Sequence, residues 1–191
     1  MKVIAFLGSP RIGGNTDLML EEALKPVRDG GHEVVLFKLN FMNLKPCQNC
    51  GGCEQTGACI ITKDEMGDIY QAIREADRVI LATPIYFFTI SAQTKTMIDR
   101  CQAFWCEKYL LKRTIPEGPL GRKGLLLMVG GMKKEIGIKC AGETAKAFFR
   151  TISVPTHETL GYLGVDAKAQ ILEHPTALKE VFEAGRKLVT V

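Results

Sequence analysis

Short, nearly continuous apolar runs alternate along this chain with stretches in which apolar residues recur at helical spacing. The runs at 2–8 (KVIAFLG), 32–39 (HEVVLFKL), 77–86 (DRVILATPIY), 123–131 (KGLLLMVGG) and 156–165 (THETLGYLGV, the shortest run of apolar character) read as strands. Between and after them, 15–31, 64–76, 91–104, 139–152 and 176–189 read as helices. Asn15 or Thr16 is placed to cap the first helix, Gly30 and Gly31 to stop it, Asp64 to cap the second and Ser91 the third. Pro26 interrupts the first, where an interior proline kinks or ends a helix.

Strands that are apolar on both faces and alternate with helices predict a parallel sheet covered on both sides. Five strands and five helices fit the α/β doubly wound, flavodoxin-like order 2-1-3-4-5, as one domain over 1–191. Ligands of such sheets sit beyond the carboxyl ends of the strands, where the order reverses between the first and third. Two long stretches carry no periodicity, 40–63 and 107–122, and loops of that length in a compact domain are usually functional. The first follows the second strand as a cysteine-rich insertion.

Composition narrows the classes. Of 191 residues, 46% are hydrophobic and 24% charged, which is enough apolar surface for an ordinary core. The net charge of +4 is spread without a basic block, so no nucleic-acid footprint is expected. No stretch approaches the roughly 18 apolar residues of a membrane span. The run Val3–Leu7 is shorter than a signal-peptide core, so a buried first strand and a cytoplasmic chain are expected. Seven cysteines in such a chain point to metal, cluster or redox use rather than disulfides.

Three segments at the carboxyl edge carry candidate chemistry. GSPRIGGNT (8–16) joins the first strand to a helix N-terminus, whose unpaired N–H groups and partial positive charge suit a phosphate. Ser9, Asn15 and Thr16 add side-chain donors, Arg11 a charged one, and Gly8, Gly13 and Gly14 let the backbone approach. Neither G-x-G-x-x-G nor a P-loop lysine is present, so a phosphomonoester such as that of FMN fits better than a dinucleotide or triphosphate. The alternative is an ordinary glycine-rich turn. TPIYFFTIS (83–91) offers a rigid Pro84 and the flat faces of Tyr86, Phe87 and Phe88 to a flavin ring, or else buries them in the core or a subunit contact. Gly130 and Gly131 would form a third wall.

The most specific signal is Cys47, Cys50, Cys53 and Cys59, a C-x2-C-x2-C-x5-C array within CQNCGGCEQTGAC. Three closely spaced thiolates wrap a compact [4Fe–4S] cubane and a fourth completes the set. Zinc or redox-active thiols are the alternatives, although structural zinc usually takes two separated knuckles. Gly51, Gly52 and Gly57 relieve crowding and expose N–H groups to sulfur, while Lys45 and Lys63 could offset negative charge. Cys101, Cys106 and Cys140 read as small buried hydrophobes, and His32, His157 and His174 receive no role.

The phosphate loop, the segment PIYFFTISAQTKTMIDR and the cysteine array together resemble the iron–sulfur flavoproteins of the NAD(P)H-dependent FMN reductase branch of the flavodoxin-like superfamily. The similarity is close over about 1–100 and departs at Phe88. It implies FMN at Ser9, Arg11, Gly14, Asn15 and Thr16, with Pro84, Ile85, Tyr86 and Phe87 near the ring, and a [4Fe–4S] cluster on the four cysteines. It also implies a homodimer or homotetramer, with 101–122 (Phe104, Trp105, Tyr109) as a contact, and ferredoxin or NAD(P)H as electron donor to an unidentified acceptor. A reductase of flavin or quinone without a cluster, and a non-enzymatic carrier or redox sensor, are the competing expectations.

Overall fold

In the computed structural model, residues 1–113 and 121–190 are described. The elements in chain order are β1 (Lys2–Leu7), α1 (Asn15–Asp29), β2 (Glu33–Lys38), α2 (Gly52–Thr56), α3 (Met66–Glu75), β3 (Arg78–Tyr86), β4 (Thr89–Ile90), α4 (Ala92–Arg100), α5 (Gln102–Trp105), β5 (Lys123–Gly130), α6 (Ile136–Thr151), β6 (Thr156–Leu163) and α7 (Ala177–Leu188). A π-helical turn, Cys106–Leu110, extends α5.

The sheet runs β2-β1-β3-β5-β6, with every neighbour in this path parallel. The predicted order is therefore present, but the strand count is six rather than five. The extra strand is the two-residue β4, which folds back antiparallel on the end of β3 (Ile85 opposite Ile90, Tyr86 opposite Thr89). It is too short to show a period of its own. The final strand stops two residues short of the expected 156–165, at Leu163.

Alternation along the strands sorts the core into two layers. Val3, Ala5, Leu7, Ile80, Ala82, Leu125 and Leu127 face α1 and α7. Ile4, Phe6, Val79, Leu81, Leu126 and Met128 face the opposite layer, which holds Met66 and Ile69 of α3, Met97 of α4, and Phe148 and Phe149 of α6. Each fully buried side chain of this size contributes about 1.5–3 kcal/mol. Gly185 lets α7 lie directly on α1, since a Cβ there would stand 2.1 Å from the Ala23 carbonyl oxygen.

Two buried arginines tie down the amino ends of β3 and β5. Arg78, 1% exposed, donates to the carbonyls of Leu188, Asp77 and Gly121, and Arg122 to those of Ala76, Ile152 and Arg74. The carboxyl ends, where the candidate residues cluster, are left for loops. Among the described residues no helix is long and apolar enough to cross a membrane.

Several local expectations change. Gly14, not Asn15 or Thr16, occupies the cap position of α1, and no side chain caps it. The helix runs through Pro26, which falls in its last turn, and stops at the glycine pair. Glu65, not Asp64, occupies the cap position of α3, and the Asp64 carboxylate accepts from Arg100 as well as from the Met66 N–H. Ser91 does cap α4, accepting from the Thr94 N–H at 3.4 Å. Residues 40–63 are not wholly irregular, since they contain α2, bounded by left-handed Gly51 (φ 73°) and Gly57 (φ 75°). Positions 114–120 of the second long stretch lie outside the described residues.

Candidate cofactor sites

The loop after β1 and the start of α1 are held from two sides. Ser91 Oγ donates to the Gly8 carbonyl at 2.7 Å, and the Ser91 N–H donates to Thr83 Oγ1 at 3.1 Å. Thr94 Oγ1 reaches Thr83 Oγ1 at 3.3 Å. This buried hydroxyl network ties the loop after β1 to β3 and to the start of α4. Only glycine fits at position 8, because a Cβ would lie 1.9 Å from Thr94 Oγ1.

On the other side, Asn15 donates from Nδ2 to the Ala167 carbonyl at 2.9 Å and accepts the Ile171 N–H on Oδ1 at 3.1 Å. Asn15 thus fastens the loop after β6 against the start of α1. Asp17 Oδ2 accepts the Gly13 N–H at 2.8 Å, which fixes the left-handed turn at Gly13 (φ 65°).

One cleft results at the carboxyl ends of β1, β3 and β5. It is lined by Ser9, Arg11, Gly14, Asn15, Thr16, Pro84, Ile85, Tyr86, Gly130 and Gly131, together with Val129, Val165 and Asp166. Ten of the eleven residues expected around a flavin share this lining. The N–H groups of the first turn of α1 have no intrahelical acceptor and face this end. A Cβ at Gly131 would meet the Asp166 side chain at 2.8 Å and one at Gly130 would meet Ile85 at 3.1 Å, so the wall has room only for glycine backbone. Val165 and Asp166 escaped the sequence reading. The rule that ligands sit past strand ends would have reached them, because they follow β6 directly.

Phe87 is not among the lining residues. It and Phe88 form the turn of the β3–β4 hairpin with positive φ (47° and 67°), and Phe87 is 97% exposed. Two non-glycine residues in this conformation store backbone strain, which the surrounding hairpin must hold. Phe88, and Tyr86 just before the turn, are also exposed in part.

The four cysteines line a second cavity with Asn49, Ile60, Ile61, Gln102 and Arg100. No residue is shared with the first cleft. Arg100 and Asp64 form an ion pair at 2.5 Å with both side chains fully buried. The guanidinium also donates to the carbonyls of Lys45 and Ile61, each at 2.8 Å. Asp64 accepts the Lys45 N–H at 3.0 Å. The pair therefore clasps both ends of the cysteine segment, just before Cys47 and just after Cys59. Burial acts to raise the Asp64 carboxyl, but Arg100 and the N–H groups of Lys45 and Met66 outweigh it and hold it below its ordinary value. The sequence offered Lys45 and Lys63 as the balancing cations; the buried one is Arg100, placed by the end of α4.

Arg100 Nε is buried and has no hydrogen-bond partner among the described residues. A donor of that kind beside four thiols suits an anionic, sulfur-rich group. Among the described residues no three His, Cys, Asp or Glu side chains form a ready-made metal site, and all seven cysteines are free. Cys47 and Cys50 are exposed, Cys53 and Cys59 half-buried.

The remaining cysteines divide. Cys101 is buried as expected, whereas Cys140 is exposed on α6. Cys106 is buried, but its Sγ lies 3.6 Å from Cys53 Sγ. Burial, with Cys106 adding, pushes the Cys53 thiol up to about 11. Phe104 is buried in its own core against Tyr70, with Arg74 over its ring at 5.0 Å, so it is not available as a subunit contact. Trp105 and Tyr109 remain partly exposed as a tilted pair.

Residues 1–159 match the family model described as NADPH-dependent FMN reductase. An iron–sulfur flavoprotein of Archaeoglobus fulgidus is 40% identical over 100 residues, 52% of this chain and 45% of the relative. Another, from Methanocaldococcus jannaschii, is 33% identical over 149 residues, 78% of this chain and 71% of the relative. The chain spans 45%, 51% and 62% of three of the relatives it matches. Among solved structures, an FMN-dependent NADH-azoreductase from Bacillus anthracis superposes with a TM-score of 0.69 at 14% identity, covering 99% of both chains. An NAD(P)H:quinone oxidoreductase from Methanothermobacter marburgensis superposes with a TM-score of 0.67 at 15% identity, covering 100% of this chain and 96% of that one. At such identities these two establish the flavodoxin-like fold alone. By the family match and by its sequence relatives, the chain belongs to the NADPH-dependent FMN reductase family, in its iron–sulfur flavoprotein branch.

Proposed function

We propose that this chain is an oxidoreductase that holds FMN in the first cleft and a [4Fe–4S] cluster in the cysteine cavity, and passes electrons between partners that exchange them in pairs and singly. The observation that carries the reading is the convergence of ten residues, from the loop after β1, the start of α1 and the ends of β3 and β5, on one cleft at the carboxyl ends of the sheet. Bound there, the flavin would exchange one or two electrons, and the cluster one at a time.

The protein's part is positioning. The first turn of α1, the hydroxyls of Ser9 and Thr16 and the guanidinium of Arg11 meet the phosphate. Asn15 acts mainly by holding the loop after β6 in place. Pro84, Ile85 and Tyr86 lie beside Gly130 and Gly131 in the same lining, against which a flat ring would rest. The strained Phe87–Phe88 turn stands at its rim as a cover for the ring or a contact with a second chain. Cys47, Cys50, Cys53 and Cys59 supply four thiolates, and the orphaned Arg100 Nε a donor to the cluster's sulfur. Separate linings favour a homodimer or homotetramer in which the cluster of one chain approaches the flavin of another, with Trp105 and Tyr109 available at the contact. Ferredoxin or NAD(P)H is the donor in this reading, in a reducing compartment that keeps seven thiols free.

The phosphate assignment is tested by FMN and riboflavin titrations followed by flavin fluorescence. Arg11→Ala is expected to weaken FMN roughly 10- to 100-fold, the value of one charge-assisted hydrogen bond, and to leave riboflavin binding unchanged. Equal losses for both flavins, or none, would remove Arg11 from the phosphate. A flavin or quinone reductase without a cluster would bind FMN in the same way yet carry no iron and sulfide.

A further inference from the structure

Cys106 is the one thiol outside the four-cysteine array that touches it. Its sulfur stands 3.6 Å from that of Cys53, and Gln102 Nε2 approaches the same sulfur at 3.8 Å. The contact is built into the fold rather than left to loop chance. α2, which carries Cys53, packs on the π-helical turn that begins at Cys106. The Arg113 guanidinium donates to the Thr56 carbonyl at 2.9 Å, and Glu107 of the π-turn is itself anchored by Arg74 of α3. A Cβ at Gly57 would come within 3.2 Å of the Glu107 side chain, so the two segments meet at a glycine. π-turns of this kind are frequent at functional sites.

Sulfur atoms in van der Waals contact cannot serve two different irons of one cubane, because thiolates on separate corners point outward and away from one another. Cys53 and Cys106 therefore compete for a single corner. Building on the cluster reading above, we infer that Cys106 is an interchangeable ligand for the iron that Cys53 holds, so that the site has five thiols for four positions. When Cys53 is absent, the Cys106 thiol gives its proton to solvent and its sulfur forms the iron–sulfur bond that Cys53 would have made. No electron changes hands in the exchange, and the other three bonds are kept.

The test is iron and acid-labile sulfide per chain, with the electron paramagnetic resonance spectrum of the reduced cluster, after anaerobic reconstitution with ferrous iron and sulfide. Far-UV circular dichroism checks the fold of each variant. Cys53→Ala and Cys106→Ala are each expected to load like the unmodified protein, Cys53→Ala with a changed spectrum. Cys50→Ala, which has no neighbouring thiol of this kind, and the double variant Cys53→Ala/Cys106→Ala are expected to lose the cluster. The size-matched pair Cys53→Ser and Cys53→Ser/Cys106→Ala gives the same comparison where alanine disturbs packing, since any ligation by serine is common to both. A loaded unmodified protein with an empty Cys53→Ala, or with a fully loaded double variant, overturns the inference. An unmodified protein that takes up no iron and sulfide would instead defeat the cluster reading on which it rests.

Discussion

Arg100→Leu is expected to destabilise the cofactor-free protein by about 3–5 kcal/mol, because it strands a buried carboxylate with no counter-charge. For a chain of this size the thermal midpoint should fall by roughly 10 °C. The usual remedy for a broken buried pair, an apolar replacement of both partners, should fail here. Arg100 and Asp64 also satisfy the carbonyls of Lys45 and Ile61 and the N–H groups of Lys45 and Met66. Arg100→Leu/Asp64→Leu leaves those groups without their side-chain partners and is expected to stay as unstable as the single variant. Recovery of the double variant to within about 1 kcal/mol of the original would show that the clasp is dispensable and the lone charge was the whole cost.

The same pair sets an acid limit. Asp64 is held below its unfolded value, so its stabilising share is fully present above about pH 4 and is lost as the pH falls through its folded value. Asp64→Asn should remove that part of the acid transition in chemical-denaturation curves. Because the clasp grips Lys45 and Ile61, on either side of the cysteine array, its loss should also lower iron retention.

Gly8→Ala is the second large effect. The new Cβ would fall 1.9 Å from Thr94 Oγ1 and 2.9 Å from Ser91 Oγ, inside the network that joins the loop after β1 to β3 and the start of α4. Overpacking of this kind costs up to about 3 kcal/mol. Because Gly8 opens the candidate phosphate loop, FMN affinity should fall with stability. Thr94→Ala removes the obstructing oxygen, so Gly8→Ala/Thr94→Ala is expected to be more stable than Gly8→Ala alone. Strict additivity of the two changes would mean that the clash is relieved elsewhere.

Much of this architecture was legible in the sequence, for identifiable reasons. Strands buried on both faces are apolar throughout, as in Val3–Leu7 and Leu125–Val129, and their alternation with helices dictates the parallel order. The candidate phosphate loop stood out because Ser9, Arg11, Gly14 and Thr16, which line one cleft, also fall within eight positions of each other. What escaped depends on long-range contacts. Asn15 looked like a cap, yet its amide is used by Ala167 and Ile171, more than 150 positions away. Asp64 looked like another cap, but Glu65 holds that position and the Asp64 carboxylate is shared between the Met66 N–H and Arg100. β4 was hidden because two residues carry no periodicity. Cys106 reads as a small hydrophobe by its neighbours, and only the packing of α2 on the π-turn brings it to Cys53.

The most direct test of the two-cofactor account is a count of iron, acid-labile sulfide and FMN per chain in protein prepared without oxygen, read with its visible absorption. About four iron and four sulfide for each FMN, with a broad cluster absorption beneath the flavin bands, is the predicted result. Protein that carries FMN but neither iron nor sulfide, or zinc in their place, would contradict it.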